Sequence, residues 1–302
     1  MKGTVVTVGT FDGVHRGHQA VAAEVRRRAR AAGRRAVLVT FEPHPLEVVN
    51  PSAAPLRLTT ADERAVLLAG LGLDTVAVVP FTRELAALEP AAFVRDVLRA
   101  RHEMQELVLG YDHGFGRGRS GDVSTLRELG ASDGFAVDVV EPVIDGGQPV
   151  SSTLIRTAVA HGHFEPAARW LGRPYAIRGT VVPGAGRGRG IGVPTINLAP
   201  PDGRKLLPPD GVYAVWVTIE NREPGAGSRF GAMMNQGGRP TFGEAARTLE
   251  AHLFEFSGDL YGATVSIEWV RRLRDVQPFP SRDALVAQLE RDRAAARASL
   301  NL

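Results

Sequence analysis

The spacing of apolar residues changes near residue 172, and this change limits the possible folds more than any other feature of the sequence. Before it, β-branched runs such as Thr4–Val8 and Ala36–Phe41 alternate with helical patterns such as Arg16–Ala32. Strands that alternate regularly with helices predict a parallel sheet covered on both faces. After it, strand-like runs follow one another from Tyr175, and no long helical pattern occurs before Ser281. That second pattern predicts a small antiparallel barrel or sandwich.

We therefore predict an α/β domain followed by a β domain. The first is a Rossmann-like parallel sheet with helices over residues 1–172, and the second is a small antiparallel β-barrel with a terminal helix over residues 173–302. The boundary lies at Leu171–Pro174, where both patterns are interrupted. Each domain is long enough to bury its own core. Ser281 is placed to cap the final helix, whose Leu285, Val286 and Leu289 share one side and are placed to cover the barrel.

The composition excludes several classes of protein. The chain contains no Cys, which excludes disulfide frameworks, thiolate nucleophiles, iron–sulfur clusters and zinc sites that need sulfur. A metal ion would have to be held by oxygen or imidazole. No run approaches the roughly 18 apolar residues that a membrane-spanning helix needs, and the N-terminus lacks the pattern of a secretory signal. We therefore expect a cytoplasmic protein with no membrane partner.

The net charge of +3 does not by itself indicate a nucleic-acid partner. Recognition of nucleic acid favours a concentrated basic stripe with interleaved aromatic residues. The densest basic cluster lies on a predicted helix and its exit, and consists of Arg26, Arg27, Arg28, Arg30, Arg34 and Arg35. We interpret this cluster as a solvated helix face and expect no nucleic-acid partner.

The strongest local signal lies between the first predicted strand and the first predicted helix. The segment Gly9–His18 reads GTFDGVHRGH, with His15 and His18 three residues apart at a helix N-terminus. Glycines let backbone amides approach a ligand, and the amides and dipole of a helix N-terminus favour phosphate oxygens. This context predicts a phosphate site. The alternative is a pair of surface histidines beside a glycine turn, and a metal pair without a third ligand is less favoured.

Four motifs in chain order carry a resemblance to a known family: Gly9–His18, Thr40–Pro45 (TFEPHP), Gly110–Gly116 (GYDHGFG) and Val150–Arg156 (VSSTLIR). The His-x-Gly-His motif resembles that of the nucleotidylyltransferase superfamily. The set resembles the bacterial bifunctional riboflavin kinase/FMN adenylyltransferases, also called FAD synthetases, over nearly the whole chain. For the first half this implies a nucleotidylyltransferase domain, in which an FMN phosphate oxygen attacks the α-phosphorus of ATP and pyrophosphate leaves. Because an FMN phosphate is already ionised, the protein must mainly align two polyanions and neutralise their charge.

The resemblance also assigns residues to this adenylyltransferase site. His15 and His18 are implied to be catalytic and to contact the triphosphate. Contacts with ATP or flavin are implied for Gly9, Phe11, Asp12, Gly17, His44, Asp112, Ser152, Thr153 and Arg156. Ser152, Thr153 and Arg156 would form a second anion site at the start of a later helix. Taken alone, the Ser-Ser-Thr run is more often a helix N-cap, and His44 more often a loop or core histidine.

The second half has a glycine-rich loop of its own, Gly184–Asn197, which reads GAGRGRGIGVPTIN. Its GxGxxG-like spacings are weak signals because no helical pattern follows, and a Walker loop is excluded because neither lysine has the required neighbours. On its own the loop is read as a flexible basic segment. It resembles, however, the signature of riboflavin kinase, which implies a flap over ATP formed by Gly184, Gly186, Arg187, Gly188 and Gly190.

The same signature implies that Thr195 and Asn197 lie at a magnesium ion and the phosphates of ATP. The two residues are two positions apart, so on an extended segment their side chains share one face, and their oxygens suit a hard cation. Asn235 resembles a further site residue, and a turn-forming Asn before Gly237 and Gly238 is the alternative.

Glu250 lies in a predicted strand, TLEAHLFEF, that places Glu250, His252 and Phe254 on one face. From the strand alone, an ordinary solvent-facing glutamate is the favoured interpretation. Glu250 matches the catalytic glutamate of riboflavin kinases, which implies a general base that takes the proton from the riboflavin 5′-hydroxyl. A neutral alcohol benefits from such a base as it attacks the γ-phosphorus of ATP.

The resulting prediction is a bifunctional enzyme of FAD biosynthesis. Riboflavin and ATP give FMN and ADP in the second domain, FMN and ATP give FAD and pyrophosphate in the first, and both steps need Mg²⁺. Departures from the family pattern at Thr10, His113-Gly114, Leu154 and Gln236 leave open a riboflavin kinase with weak or altered nucleotidylyltransferase activity. A flavin- or nucleic-acid-binding regulator without catalysis is the rival from another class.

Overall fold

The computed structural model describes residues 3–111, 121–184, 193–199, 203–221, 227–238 and 247–302. The chain forms two compact units, Met1–Ser152 and Thr153–Leu302. The division of the two functional domains between residues 172 and 173 stays a prediction, because compactness alone does not say which helices each activity needs. Within the described residues, no helix is both long and apolar enough to cross a membrane.

The first unit contains a five-stranded parallel sheet, as predicted. Its strands are β1 (Thr4–Val8), β2 (Arg35–Glu42), β3 (Thr75–Pro80), β4 (Met104–Gly110) and β5 (Ala136–Val140), and their order is β3-β2-β1-β4-β5. Alternate residues of β1 pack into cores on opposite faces of the sheet, Val5 on one and Val6 on the other. In such sheets ligands bind beyond the carboxyl ends of the strands, where the strand order reverses. In this unit the reversal lies at β1, whose following loop carries the Gly9–His18 motif.

The rest of the first unit consists mainly of helices. They are α1 (Arg16–Ala32), α2 (Pro45–Val49), α3 (Ala61–Ala69), α4 (Arg83–Ala86), α5 (Pro90–Phe93), α6 (Ala100–His102) and α7 (Val123–Asp133), with a 3-10 turn at Pro51–Ala53, a π-helical segment at Val94–Arg99 and a ribbon of β6 (Ile144–Asp145) and β7 (Gln148–Pro149). The spacing of Thr60 and Glu63 is that of a capping box, and the structure has one at the start of α3, since the side chain of each residue accepts a hydrogen bond from the other's backbone N–H. Local sequence therefore determines where this helix begins.

The arginine cluster of α1 is paired with carboxylates. Arg27 and Arg28 both bind Glu24, at 2.6 and 2.7 Å, and Arg28 also binds Glu106 at 2.7 Å. The hydrogen bond from Arg27 lowers the pKa of Glu24 to about 2. These contacts are those of a charge-compensated helix face.

The second unit is a closed antiparallel barrel with helices around it. Helix α8 (Ser152–Ala160) begins at the last residue of the first unit. The second unit continues with α9 (Phe164–Leu171), β8 (Ala176–Val182), β9 (Ile196–Leu198), β10 (Gly211–Ile219), β11 (Arg229–Gly238), β12 (Arg247–Leu253), β13 (Thr264–Arg274) and α10 (Arg282–Leu300), and the strand order is β10-β11-β12-β9-β8-β13. The barrel is confirmed, and the sandwich alternative is not. The short strand β9 was not predicted, yet it closes the barrel between β12 and β8.

Helix α10 covers one side of the barrel wall. Ser281 caps it by accepting a hydrogen bond from the Ala284 N–H at 3.1 Å, as predicted. Its Ala296 and Leu300 pack in one cluster with Met233 of β11 and Phe254. A cavity lies between α10 and this wall.

Candidate functional sites

The loop after β1 brings His15 and His18 together at the start of α1. His15 is the N-cap residue, and its Nδ1 accepts a hydrogen bond from the His18 backbone N–H at 3.3 Å. The two imidazole rings stack with centroids 3.6 Å apart, and the Phe11 ring meets His18 edge-on at 5.0 Å. Two imidazoles are thus held beside the amides and positive dipole end of a helix, an arrangement suited to phosphate oxygens.

Backbone conformation and close packing hold this loop in shape. Phe11, Gly13 and Val14 all have positive φ, at 50°, 81° and 42°, and the two side chains are buried. A non-glycine residue in this region is strained and persists only where its surroundings over-determine it. A Cβ atom at Gly17 would lie 3.1 Å from the His15 ring, so Gly17 makes room for that imidazole.

The side chain of Asp12 holds the loop in place through buried hydrogen bonds. Its buried carboxylate accepts hydrogen bonds from the backbone N–H groups of Leu58 and Thr59, each at 3.0 Å, and from the Thr59 hydroxyl at 3.1 Å. The Thr59 hydroxyl also accepts a hydrogen bond from the Gly13 N–H at 3.1 Å. The structure thus gives Asp12 a part in positioning the loop, and its contact with a ligand stays a prediction.

We expect Asp12→Asn to destabilise the first unit by about 2–3 kcal/mol. The carboxylate accepts hydrogen bonds from two backbone N–H groups, whereas the amide of asparagine would turn its own N–H toward one of them and lose that bond. Urea unfolding followed by far-UV circular dichroism would measure this loss. All three tryptophans, Trp170, Trp216 and Trp269, lie in the second unit, so the urea concentration at the midpoint of the fluorescence transition should not change. Asp62→Asn, at an exposed position of α3, is the matched control. An unchanged unfolding midpoint in Asp12→Asn would contradict the anchoring role.

His44 begins α2, beside a buried charge cluster that sequence reasoning missed. Its Nδ1 accepts a hydrogen bond from the Leu46 N–H at 3.2 Å. Just before it, the Glu42 carboxylate binds both Arg57, at 2.8 Å, and Arg64, at 2.6 Å. Arg64 also donates to the Phe41 carbonyl oxygen at 3.0 Å. The two buried arginines therefore hold the TFEPHP segment in place. The sequence signals for these contacts were weak, since Arg57 lies just before α3 and Arg64 lies within it.

Further residues assigned to the adenylyltransferase site lie in the last two of the four motifs. Ser152 is the last residue of the first unit, and its hydroxyl donates to the Asp12 carbonyl oxygen in the loop after β1 at 2.9 Å. On α8, Thr153 is exposed and Arg156 is half-buried. Asp112 and the departure at His113-Gly114 lie outside the described residues.

Three of the residues assigned by resemblance to the kinase site form one row across the barrel wall. Asn197 of β9 lies opposite Glu250 of β12, and Glu250 lies opposite Asn235 of β11. Residues directly opposite on neighbouring antiparallel strands share a face and are close enough to interact. The turn-forming alternative for Asn235 is therefore wrong, because Asn235 lies inside a strand. The row also shows how three distant segments of sequence supply one site.

This face borders a cavity of about 340 Å³ between the barrel wall and α10. Its polar lining includes Thr195, Asn235, Glu250 and His252, and its apolar lining includes Val193, Met233, Phe279, Leu285 and Leu289. Glu250 is half-buried, so it is not the fully solvated glutamate of the alternative interpretation. Small-molecule sites have this character: an apolar cleft with a few convergent polar groups.

Further contacts in the second unit stabilise the barrel and its connections. Arg274 of β13 forms an ion pair with the buried Asp292 of α10 at 2.7 Å, which fixes the helix to the barrel. A Cβ atom at Gly184 would overlap the Asn197 side chain, so glycine lets the backbone pass over that amide. Gln236, one of the departures, is buried and donates to the Pro208 carbonyl oxygen at 2.5 Å. The flap residues Gly186, Arg187, Gly188 and Gly190 lie outside the described residues.

Comparisons with known proteins match both halves of the chain. The family model for FAD synthetase matches residues 1–154, and the model for riboflavin kinase matches residues 171–300. Proteins named "Bifunctional riboflavin kinase/FMN adenylyltransferase" are 40% identical in Pseudomonas fluorescens (98% of this chain, 93% of the relative), 38% in Escherichia coli K12 (98% and 92%) and 34% in Bacillus subtilis (97% and 91%). A crystal structure from Streptococcus pneumoniae, titled a macrolide-efflux protein, shares the fold with a TM-score of 0.85 and 33% identity over 98% of this chain and 94% of that one.

Proposed function

The chain belongs to the bifunctional riboflavin kinase/FMN adenylyltransferases and has both of their activities, and we propose that each activity has a site of its own, one around the loop after β1 and one in the barrel. The barrel converts riboflavin and ATP to FMN and ADP. The parallel-sheet unit converts FMN and ATP to FAD and pyrophosphate. The observation that carries this assignment is the row of Asn197, Glu250 and Asn235 at an apolar cavity, which lies in a different unit from the stacked histidines.

In the barrel, we assign Glu250 as the general base. Its carboxylate takes the proton from the riboflavin 5′-hydroxyl as that oxygen attacks the γ-phosphorus of ATP. The apolar lining from Met233, Phe279, Leu285 and Leu289 suits the flat aromatic rings of a flavin. Asn235 would bind and orient the substrate next to the base.

The oxygens of Thr195 and Asn197 suit Mg²⁺, which prefers oxygen ligands and keeps several waters and substrate phosphates. The burial of Asn197 between Gly184 and Glu250 keeps its amide in one place. When bound, Mg²⁺ would neutralise charge on the phosphates of ATP. Gly184, Gly186, Arg187, Gly188 and Gly190 are assigned to the flap over that nucleotide.

In the parallel-sheet unit, no base is needed because the attacking phosphate of FMN is already ionised. His15 and His18 would bind the triphosphate and stabilise the charge on the departing pyrophosphate. Ser152, Thr153 and Arg156 are proposed as a second group of phosphate ligands at the start of α8, and His44 and Asp112 as further contacts. The intact stack of His15 on His18 favours a working adenylyltransferase over a weakened one. We propose a cytoplasmic enzyme whose partners are small molecules only.

The test is a time course with the purified full chain, riboflavin, ATP and Mg²⁺, with flavins separated by chromatography. We expect FMN to appear first and FAD to follow, and we expect both products to require Mg²⁺. A parallel reaction started from FMN isolates the second step. FMN without FAD would support a kinase with a weak second activity, and no turnover would support a flavin-binding module.

A further inference from the structure

We infer that His252 is a positioning residue of the kinase site, because it links the segment that carries Thr195 to the C-terminal helix. This inference rests on the function proposed for the barrel. His252 lies two residues after Glu250 on the same face of β12 and lines the same cavity. It is 9% exposed, so its two ring nitrogens have little access to water and depend on partners in the protein.

The two ring nitrogens of His252 point to two different elements. Nδ1 lies 2.7 Å from the carbonyl oxygen of Pro194, the residue immediately before Thr195. Nε2 lies 3.4 Å from Nη2 of Arg293 on α10. Arg293 is in turn paired with Glu290 of the same helix at 3.2 Å. One imidazole therefore connects the helix, the strand of Glu250 and the segment of Thr195.

The chemistry of the two partners determines the protonation state of His252. A carbonyl oxygen can only accept, so Nδ1 must carry the hydrogen, and a guanidinium can only donate, so Nε2 must accept. The neutral Nδ1–H tautomer satisfies both contacts. A doubly protonated ring would place an N–H against the N–H of Arg293 and lose that contact.

The electrostatic surroundings favour the same neutral form. Burial, together with the charge of Arg293, lowers the pKa of His252 below its ordinary value of 6.5, although the bond to Pro194 and the charge of Glu290 oppose this shift. Among the described residues, Arg293 and Glu290 of α10 act electrostatically on the ring, and the charged side chains of Glu250, Arg274 and Asp292 line the same cavity. At neutral pH the bridge is therefore uncharged, and it weakens as the pH falls through the lowered pKa.

The consequence for the reaction is the placement of Thr195. The segment Val193–Ala199 passes from the proposed ATP flap into β9, and described hydrogen bonds tie its start to the barrel through His252. Without the bond to Pro194, Thr195 would keep its neighbours in β9 but lose its fixed distance from Glu250. Misplacement of a binding group weakens ATP binding and lowers the rate without removing the base.

Three substitutions in the full chain test this inference. In His252→Asn the amide nitrogen takes the place of Nδ1 and keeps the bond to Pro194, whereas His252→Gln and His252→Ala lose it. For the riboflavin kinase step we expect kcat/KM for ATP to fall about tenfold or more in the Ala and Gln variants, mainly through KM, and to stay within about threefold of wild type in the Asn variant. As the pH falls below 6.5, the Asn variant should lose less kinase activity than wild type, because its bridge does not titrate.

The second reaction and one further variant serve as controls. Conversion of supplied FMN to FAD should be unchanged in all three variants, and Arg291→Ala, which removes an exposed arginine of α10, should leave both steps unchanged. Tryptophan fluorescence melting checks that the barrel is folded. Wild-type kinetics in the Ala and Gln variants, or an Asn variant as impaired as the Ala variant, would overturn the role of His252. A wild-type chain that makes no FMN would instead overturn the proposed function of the barrel.

Discussion

Glu250→Gln is expected to lower the rate of FMN formation from riboflavin by about 10²–10⁴-fold, the range that a positioned general base contributes. The amide has the size of the carboxylate and can keep its place between Asn197 and Asn235, but it cannot accept the proton of the 5′-hydroxyl. The conversion of supplied FMN to FAD should keep its wild-type rate. Single-turnover measurements of each step, with products separated by chromatography, give both rates from one protein sample.

The matched control for this change is Glu268→Gln, which alters another glutamate of the barrel, on β13, where it pairs with Arg229 at the surface. It should leave both steps unchanged, because neither residue borders the cavity. If Glu250→Gln kept the wild-type rate of FMN formation, the assignment of Glu250 as the general base would be wrong. A parallel loss of FAD formation in a folded protein would contradict the assignment of the two reactions to separate sites.

His18→Ala is expected to have the opposite selectivity, with FAD formation from FMN reduced by about 10²–10³-fold, the loss typical of removing one group that stabilises developing charge. The substitution removes an imidazole that stacks on His15 and contacts Phe11, so both the proposed phosphate ligand and the support of His15 are lost. FMN formation should be unaffected. The measurement is the initial rate of FAD formation with FMN and ATP at saturating concentrations.

His161→Ala is a suitable control for this experiment, because His161 is an exposed histidine that follows α8 and hydrogen-bonds only locally, through Thr157, among the contacts described for it. Both steps should persist in it. If FAD formation survived in His18→Ala, the assignment of a phosphate site to the start of α1 would be wrong. If FMN formation were lost with it, the two-site assignment would be wrong.

The prediction of the first unit from sequence was accurate where local patterns determine structure. The helix α1 and the strand β1 have the predicted bounds, and Thr60 forms the capping box that its spacing from Glu63 indicates. Each depends on residues within a few positions, whose periodicity or capping chemistry can be read directly. The pairing of Arg57 and Arg64 with Glu42 was not predicted, because the charged partners lie 15 and 22 residues apart along the chain.

In the second unit, the longer strands were predictable and the short one was not. The strand β9 has only three residues, too few to show an alternating pattern, and its pairing with β12 and β8 supplies its hydrogen bonds. Asn235 was assigned to the site by resemblance, but its local sequence fitted a turn equally well. Its position opposite Glu250 is a matter of strand register, which pairing with a distant segment sets.

By itself, the sequence determined the two fold classes, the family and the residue types that its chemistry uses, because apolar periodicity and contiguous motifs are local properties of a chain. Tertiary structure alone decided which of those residues meet. It aligned Asn197, Glu250 and Asn235 in one row, turned the Asp12 carboxylate inward to Leu58 and Thr59, and gave His252 its partners on Pro194 and Arg293. These contacts join segments far apart in sequence, and they form only when the burial of a shared core outweighs the entropy lost in ordering the chain between them.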